Sequence, residues 1–281
     1  KFHGKTFTAR AKAEAPELNE DAPARGRKAV LFVTCFVNYN NPDVGHAARA
    51  VLARNGVETE IGYPGCCGMP QLEHGDLRRV AERAIHSAAY FAPWIDKGFD
   101  VIALTPSCAL MMKFEWPLIV AADDAAHGDV KRLAEATRDI SEYIVDIAAT
   151  EGLAPGLEPV PGGISLHLAC HARAQNIGPK AAQMLNLIPD AEVSVIERCS
   201  GHGGSWGIKK DNYPVALKVG RPAARRALEE DKAFVASECP LAGKHLVQGM
   251  RTLDGAKAKV GHALHPVEIF ARAYGLTEGE A

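Results

Sequence analysis

No apolar run approaches the roughly 20 residues that a membrane-spanning helix needs. The opening Lys1-Phe2-His3-Gly4 also lacks the apolar core of a secretory signal. The expected location is therefore the cytoplasm, with any membrane contact limited to peripheral association at the inner face. Neither sign of charge dominates: 32 Lys and Arg stand against 34 Asp and Glu. That balance gives no general attraction to nucleic acid or anionic lipid. Aromatic residues are sparse, and Trp94, Trp116 and Trp206 are too scattered to stack successive bases; nucleic acid is not an expected partner. Paired C-x-x-C knuckles, the mark of structural zinc, are missing, and so is the ferredoxin run C-x-x-C-x-x-C. The glycine-rich Gly201-His202-Gly203-Gly204-Ser205-Trp206-Gly207 places Trp206 where a dinucleotide loop needs its third glycine. No flavin or nicotinamide fingerprint remains, so hydride chemistry is not expected of this chain alone. Residues 1–28 show no apolar periodicity and read as a tether, in a chain that does not start with Met and that we expect to be a fragment.

What is present is cysteine, seven residues of it. An odd number without a secretory signal is a poor disulfide framework. Cys35, Cys66 and Cys108 recur at Cys170, Cys199 and Cys239, with offsets of 135, 133 and 131 residues, and the surrounding text recurs with them. Val30-Leu31-Phe32-Val33-Thr34-Cys35 matches Ile164-Ser165-Leu166-His167-Leu168-Ala169-Cys170, each an apolar run ending in Cys. Gly65-Cys66-Cys67-Gly68 matches Arg198-Cys199-Ser200-Gly201, and the run into Cys108 matches the run into Cys239. The chain thus contains an internal duplication.

Short β-branched runs alternate with helical patterns at 46–55, 77–97 and 181–187, the signature of parallel βαβ units. The predicted fold is α/β, two pseudo-symmetric βαβ modules with small parallel sheets, the first over 29–151 and the second over 152–281 with a C-terminal strap. A helix over 129–150 is expected to join them, and the Pro- and Gly-rich 152–163 to link them. The cysteines then fall at the carboxyl ends of strands, where open α/β sheets take their ligands. Soft thiolates converging there suit a soft metal or an iron-sulfur cluster, and Gly68 and Gly201 allow the backbone to come close. Zinc is the rival metal. His167, His171 and His202 are spaced to ligate, to move protons or to hydrogen-bond a sulfur, or else to serve structure alone. His262 and His265, ahead of Pro266, read as capping and turn residues. Lys209, Lys210, Lys218, Arg221, Arg225 and Arg226 read as a solvated face.

The pattern Cys35, Cys66-Cys67-Gly68, Pro106-Ser107-Cys108, repeated in degenerate form, resembles the cysteine-rich CCG domain family. That family includes the B subunit of heterodisulfide reductase and the C subunit of anaerobic glycerol-3-phosphate dehydrogenase. The segments His167 to His171 and Cys199 to Gly207 resemble the latter branch most. The resemblance implies an iron-sulfur electron-transfer subunit that takes electrons from a flavoprotein dehydrogenase subunit, directly or through a ferredoxin-like domain, and passes them to a quinone or a thiol/disulfide acceptor. It also implies one or two 4Fe-4S clusters held by Cys35, Cys66, Cys67, Cys108, Cys170, Cys199 and Cys239. The sequence departs from the full motif: Thr105 stands at the first position of a terminal C-x-x-C, and Ser200 stands at the second cysteine of the second CCG. A catalytic thiol/disulfide or small-acid reductase with an open cluster site, and a zinc-stapled scaffold, are the alternative functions. No catalytic residue is assigned.

Overall fold

The computed structural model describes residues 2–254 and 260–276, in two compact units, residues 1–156 and 157–281. In the first unit the chain runs α1 (Phe7–Ala11), β1 (Lys28–Phe32), α2 (Cys35–Tyr39), α3 (Pro42–Arg54), β2 (Glu58–Gly62), α4 (Met69–Glu73), α5 (Leu77–Ile95), β3 (Asp100–Ala103) and α6 (Pro106–Leu110). A π-helical turn, Met111–Glu115, leads into α7 (Trp116–Ile119), α8 (His127–Ala136), β4 (Thr137–Asp139) and α9 (Ile140–Thr150). The second unit contains β5 (Ile164–His167), α10 (Cys170–Ala174), α11 (Lys180–Leu185), β6 (Val193–Ile196), α12 (Tyr213–Glu230), β7 (Phe234–Ser237), α13 (Pro240–Asp254) and α14 (Pro266–Ala273).

Both sheets are all-parallel, ordered β2-β1-β3-β4 and β6-β5-β7. The central strands β1 and β5 are buried along nearly their whole length; β1 accordingly runs apolar from Ala29 to Phe32, while β5 also buries Ser165 and His167. From β1 the chain goes first to one neighbour and then to the other, and β5 does the same. This places a topological switch point at the carboxyl ends of β1 and β3, and another at those of β5 and β7. Phe32, Phe91, Met111 and Trp116 fill the first core, each fully buried and worth about 1.5–3 kcal/mol.

The duplication extends further than the cysteines. The expected joining helix over 129–150 is instead split by β4, because Thr137 to Asp139 pair with β3. In the second unit Leu264 bridges Ala236 at the matching place, so the expected C-terminal strap is the counterpart of β4 and α9. Even the helix caps correspond: Asp139 and Glu142 form a capping box on α9, and His265 and Glu268 form one on α14. His265 accepts the Val267 N–H at Nδ1 (3.2 Å), as expected of a capping residue. Residues 255–259 and 277–281 of the strap lie outside the described residues.

Residues 1–28 are not a free tether. Phe7, at 0 % exposure, packs edge-on to His46 (ring centroids 5.0 Å apart) and lies where any Cβ on Gly45 would stand. The Arg49 guanidinium donates to the Ala11 carbonyl (2.9 Å). Burial of one ring next to a glycine leaves no periodic trace in the sequence. The first unit also keeps residues 152–156, beyond the expected boundary at 151. Arg27 pairs with Glu151 and Asp146, each at 2.7 Å, while Asn55 accepts the Ala154 N–H (2.9 Å) and Arg54 donates to the Pro155 carbonyl (2.7 Å).

Candidate functional site

In the first unit every cysteine follows a strand. Cys35 opens α2 after β1, where the Thr34 hydroxyl caps the helix by accepting the Val37 N–H (3.1 Å). Cys66 and Cys67 lie in the loop after β2, and Cys108 sits in the first turn of α6 after β3. The four sulfurs form one chain of contacts. Cys35 hydrogen-bonds Cys66, Cys66 hydrogen-bonds Cys67, and the Cys67 and Cys108 sulfurs hydrogen-bond each other at 3.2 Å. Cys67 and Cys108 are buried, whereas Cys35 and Cys66 are half-buried.

Charge is unevenly shared along that chain. Hydrogen bonds from Cys35 and Cys67 hold the Cys66 thiol far below its usual range, helped by the Gly68 N–H (3.5 Å) and by Arg83, while burial opposes them. The same hydrogen bond to Cys66, together with burial, pushes Cys35 up; hydrogen bonds to Cys108 and Cys66 push Cys67 up. These hydrogen bonds favour the charged form at Cys66 over Cys35 and Cys67. Gly68 makes this possible through φ +91°, which turns its N–H back onto the sulfur.

Surrounding side chains cover the inner pair, Cys67 and Cys108. The indole N–H of fully buried Trp116 donates to the Cys67 carbonyl (3.0 Å), and Tyr39 and Tyr63 stack edge to face (6.0 Å). Burial first, then Tyr39 and Cys35, raises the Tyr63 hydroxyl, so it stays neutral. Trp116, Tyr39 and Tyr63 carry no motif that singles them out in the sequence.

The second unit differs in kind. Cys170 opens α10 after β5, Cys199 follows β6, and Cys239 precedes Pro240 at the start of α13. The Gly201 N–H donates to the Cys199 sulfur (3.3 Å) with φ +84°, reproducing the Gly68–Cys66 turn. Only glycine fits there, since a Cβ on Gly201 would stand 2.1 Å from the Ala216 carbonyl. Cys170 and Cys199 are exposed, and burial raises Cys239 to about 11, against the N–H groups of Ala242 and Leu241.

The sheet registers correct the expected pairing of the last two cysteines. Phe32 is level with Ala103 in the first sheet, and His167, its counterpart before Cys170, is level with Ser237 in the second. Ala103 therefore matches Ser237, Pro106 matches Pro240, and each proline opens its helix. Cys239 thus stands at the position of Thr105, the first place of the C-x-x-C, and Cys108 matches Ala242, the second. Each unit keeps the half that the other has lost. The second unit lacks both members of the buried Cys67–Cys108 pair, replaced by Ser200 and Ala242.

The chain belongs to the CCG cysteine-rich domain family. Its family model matches residues 29–113 and 164–246, one copy in each unit. Among curated proteins this CCG chain is similar to the C subunit of anaerobic glycerol-3-phosphate dehydrogenase from Escherichia coli K12, 28 % identical over 215 residues. That match covers 75 % of this chain and 52 % of the relative, so the chain spans about half the relative's length. Lactate utilization protein A of Bacillus pumilus is 29 % identical over 65 % of this chain and 75 % of its own. The B subunit of fumarate reductase (CoM/CoB) from Methanothermobacter marburgensis is 24 % identical over 87 % of this chain and 46 % of its own. The crystal structure of a hypothetical protein from Helicobacter pylori shares the fold, with a TM-score of 0.53 at 13 % identity over 97 % of this chain and 54 % of that one.

The first CCG set has the chemistry a cluster asks for: four contiguous sulfur donors, hydrogen bonds that favour the thiolate at Cys66, and a glycine turn. Among the described residues no three His, Cys, Asp or Glu side chains stand preset around a metal ion. The Cys67 and Cys108 sulfurs are closer than the about 3.8 Å between two ligands on one tetrahedral metal with bonds of about 2.3 Å. The set is contracted by its own thiol hydrogen bonds. Elsewhere, Trp206 is 45 % exposed and lies over Gly203, which leaves it a poor shield for a cluster.

Proposed function

We propose that this CCG chain is an iron-sulfur electron-transfer subunit of a flavoprotein oxidoreductase complex, taking electrons from a flavin-bearing partner and passing them to a quinone or a thiol/disulfide acceptor. The observation that carries this reading is the contiguous sulfur set Cys35, Cys66, Cys67 and Cys108 at a sheet switch point. The names of the relatives as subunits of glycerol-3-phosphate dehydrogenase and fumarate reductase support it. A bound 4Fe-4S cluster would supply one-electron transfer.

The chain's own residues do the rest. Cys35, Cys66, Cys67 and Cys108 would hold the cluster in the first unit, and Cys170, Cys199 and Cys239 would hold the second. The N–H groups of Gly68 and Gly201 point at sulfur and offset its negative charge. Trp116 fixes the Cys67 backbone on the buried side of the first site. No helix among the described residues is long and apolar enough to cross a membrane. We place the protein in the cytoplasm, meeting any membrane at its inner face through its partners.

An anaerobic preparation tests the reading. Broad visible absorbance bleached by dithionite, with iron and acid-labile sulfide in equal amounts, is the expected result. A colourless chain carrying zinc would replace this function with that of a zinc-stapled scaffold.

A further inference from the structure

Once the two units are aligned through their sheets, a second pattern appears. Phe32 and Phe36 precede and follow the first cysteine as His167 and His171 do in the second unit, at the same offset of 135 residues. Met69 follows Gly68 as His202 follows Gly201, and Met111 lies five residues after Pro106 as His245 lies five after Pro240. All four positions around the first cysteine set are apolar, and all four around the second are imidazoles.

Those imidazoles are not equally occupied. His167 is buried and held at both ring nitrogens, by the Ser237 hydroxyl (3.1 Å) and by the Arg198 carbonyl (2.9 Å). His202 is half-buried and bonded through Nδ1 to Ser200 Oγ (2.9 Å), the hydroxyl that stands where the first unit has Cys67. His245 is 6 % exposed and meets the edge of Tyr213 (ring centroids 5.8 Å apart). Its buried Nε2 has no hydrogen-bond partner among the described residues. Native proteins satisfy nearly every such atom, so an unsatisfied one calls for a partner. In this unit the inner thiols are replaced by Ser200 and Ala242, Cys170 and Cys199 are exposed, and exposed Arg198 precedes Cys199 in the chain. Buried Glu238 spends its carboxylate on the Ala169 N–H (3.4 Å).

We propose that the cysteine site of the second unit binds a small carboxylate- or oxyanion-bearing molecule, admitted at the rim of Cys170 and Cys199 and held by the imidazole N–H groups of His202 and His245. The first unit, with Met69 and Met111 in those places, does not bind one. Burial, then His245, His167 and His171, lower His202 to about 4. The inference deepens the electron-transfer reading, making one site the place of ligand chemistry and the other a conduit.

Calorimetric titration of the full anaerobic chain with acetate, oxalate and inorganic phosphate, and with uncharged oxamide as control, tests it. Saturable binding of at least one anion and none of oxamide is expected. His202→Met with His245→Met, which installs the first unit's residues, should weaken binding about tenfold or more, the scale of lost hydrogen bonds to a charged group. Lys218→Ala on the outer face should change nothing. Should the double variant misfold by circular dichroism, His202→Gln and His245→Gln singly replace it. No saturable anion, equal binding of oxamide, or binding unmoved by the histidine substitutions overturns the proposal. Iron measured on the same samples separates the two ideas. Normal iron without anion binding sinks only this inference, whereas anion binding by an iron-free chain sinks the electron-transfer reading and leaves this one standing.

Discussion

The two units share a sheet order, a glycine turn and the strand-end placement of their cysteines, yet around those cysteines they are opposites. The first set is continuous, half-buried to buried, and surrounded by Phe, Met, Tyr and Trp. The second is broken, rim-exposed and surrounded by imidazoles. One backbone therefore supports two environments. The sheet fixes where thiols converge, and a handful of neighbouring side chains decides whether water and ligands reach them.

The largest effect should come from the buried pair that only the first unit possesses. Cys67→Ser is expected to remove roughly half or more of the bound iron, because a four-thiolate cluster loses a ligand that nothing replaces. Ala242→Cys, which supplies half of the missing pair to the second unit, should raise its retention. Iron and sulfide counts per chain, with EPR of the reduced protein, check both. Equal iron in the wild type and Cys67→Ser would erase the contrast between the units.

Acid should separate the units next. Burial lowers His265 to about 3 and His202 to about 4, and it also lowers His167; in the first unit His46 is the histidine lowered by burial. A base whose folded value lies below its unfolded value of 6.5 is neutral when folded and takes up a proton on unfolding. Its contribution is complete above pH 6.5 and is lost as the pH falls toward the folded value, at about 1.4 kcal/mol per pH unit for each such group. The second unit should thus lose amide-exchange protection first between pH 6.5 and 3. His265→Asn, which keeps a capping side chain, should flatten that slope. A first unit that opens earlier would contradict it.

Smaller effects follow from single contacts. Trp116→Phe leaves the buried Cys67 carbonyl unpaired and should cost about 1–3 kcal/mol in urea unfolding. Arg226→Ala removes an ion pair with Glu230 (2.7 Å) from an arginine that is 60 % exposed, and should change stability by less than about 1 kcal/mol.

Much of this is legible in the sequence. The β-branched runs ending in Cys35 and Cys170 announce parallel strands, and the CCG spacing announces the duplication. Matching cysteines by rank misplaces the third pair; Pro106 and Pro240 hold the true register, as a proline opening a helix is fixed by backbone geometry where a ligand is not. Phe7 is invisible because its burial depends on Gly45, far along the chain. The imidazole shell emerges only once the register is right, since Phe32 and His167 share nothing but a place.

The hydrogen bond from Trp116 to Cys67 has an optical consequence. An indole sealed at the first sulfur set should emit at short wavelength and be quenched when an absorbing cluster sits beside it, while Trp206, 45 % exposed in the second unit, should emit at long wavelength. With half-buried Trp94, the third indole, replaced by Phe, the spectrum carries two colours, one for each unit, and the loading of the first site can be followed as the loss of the bluer one.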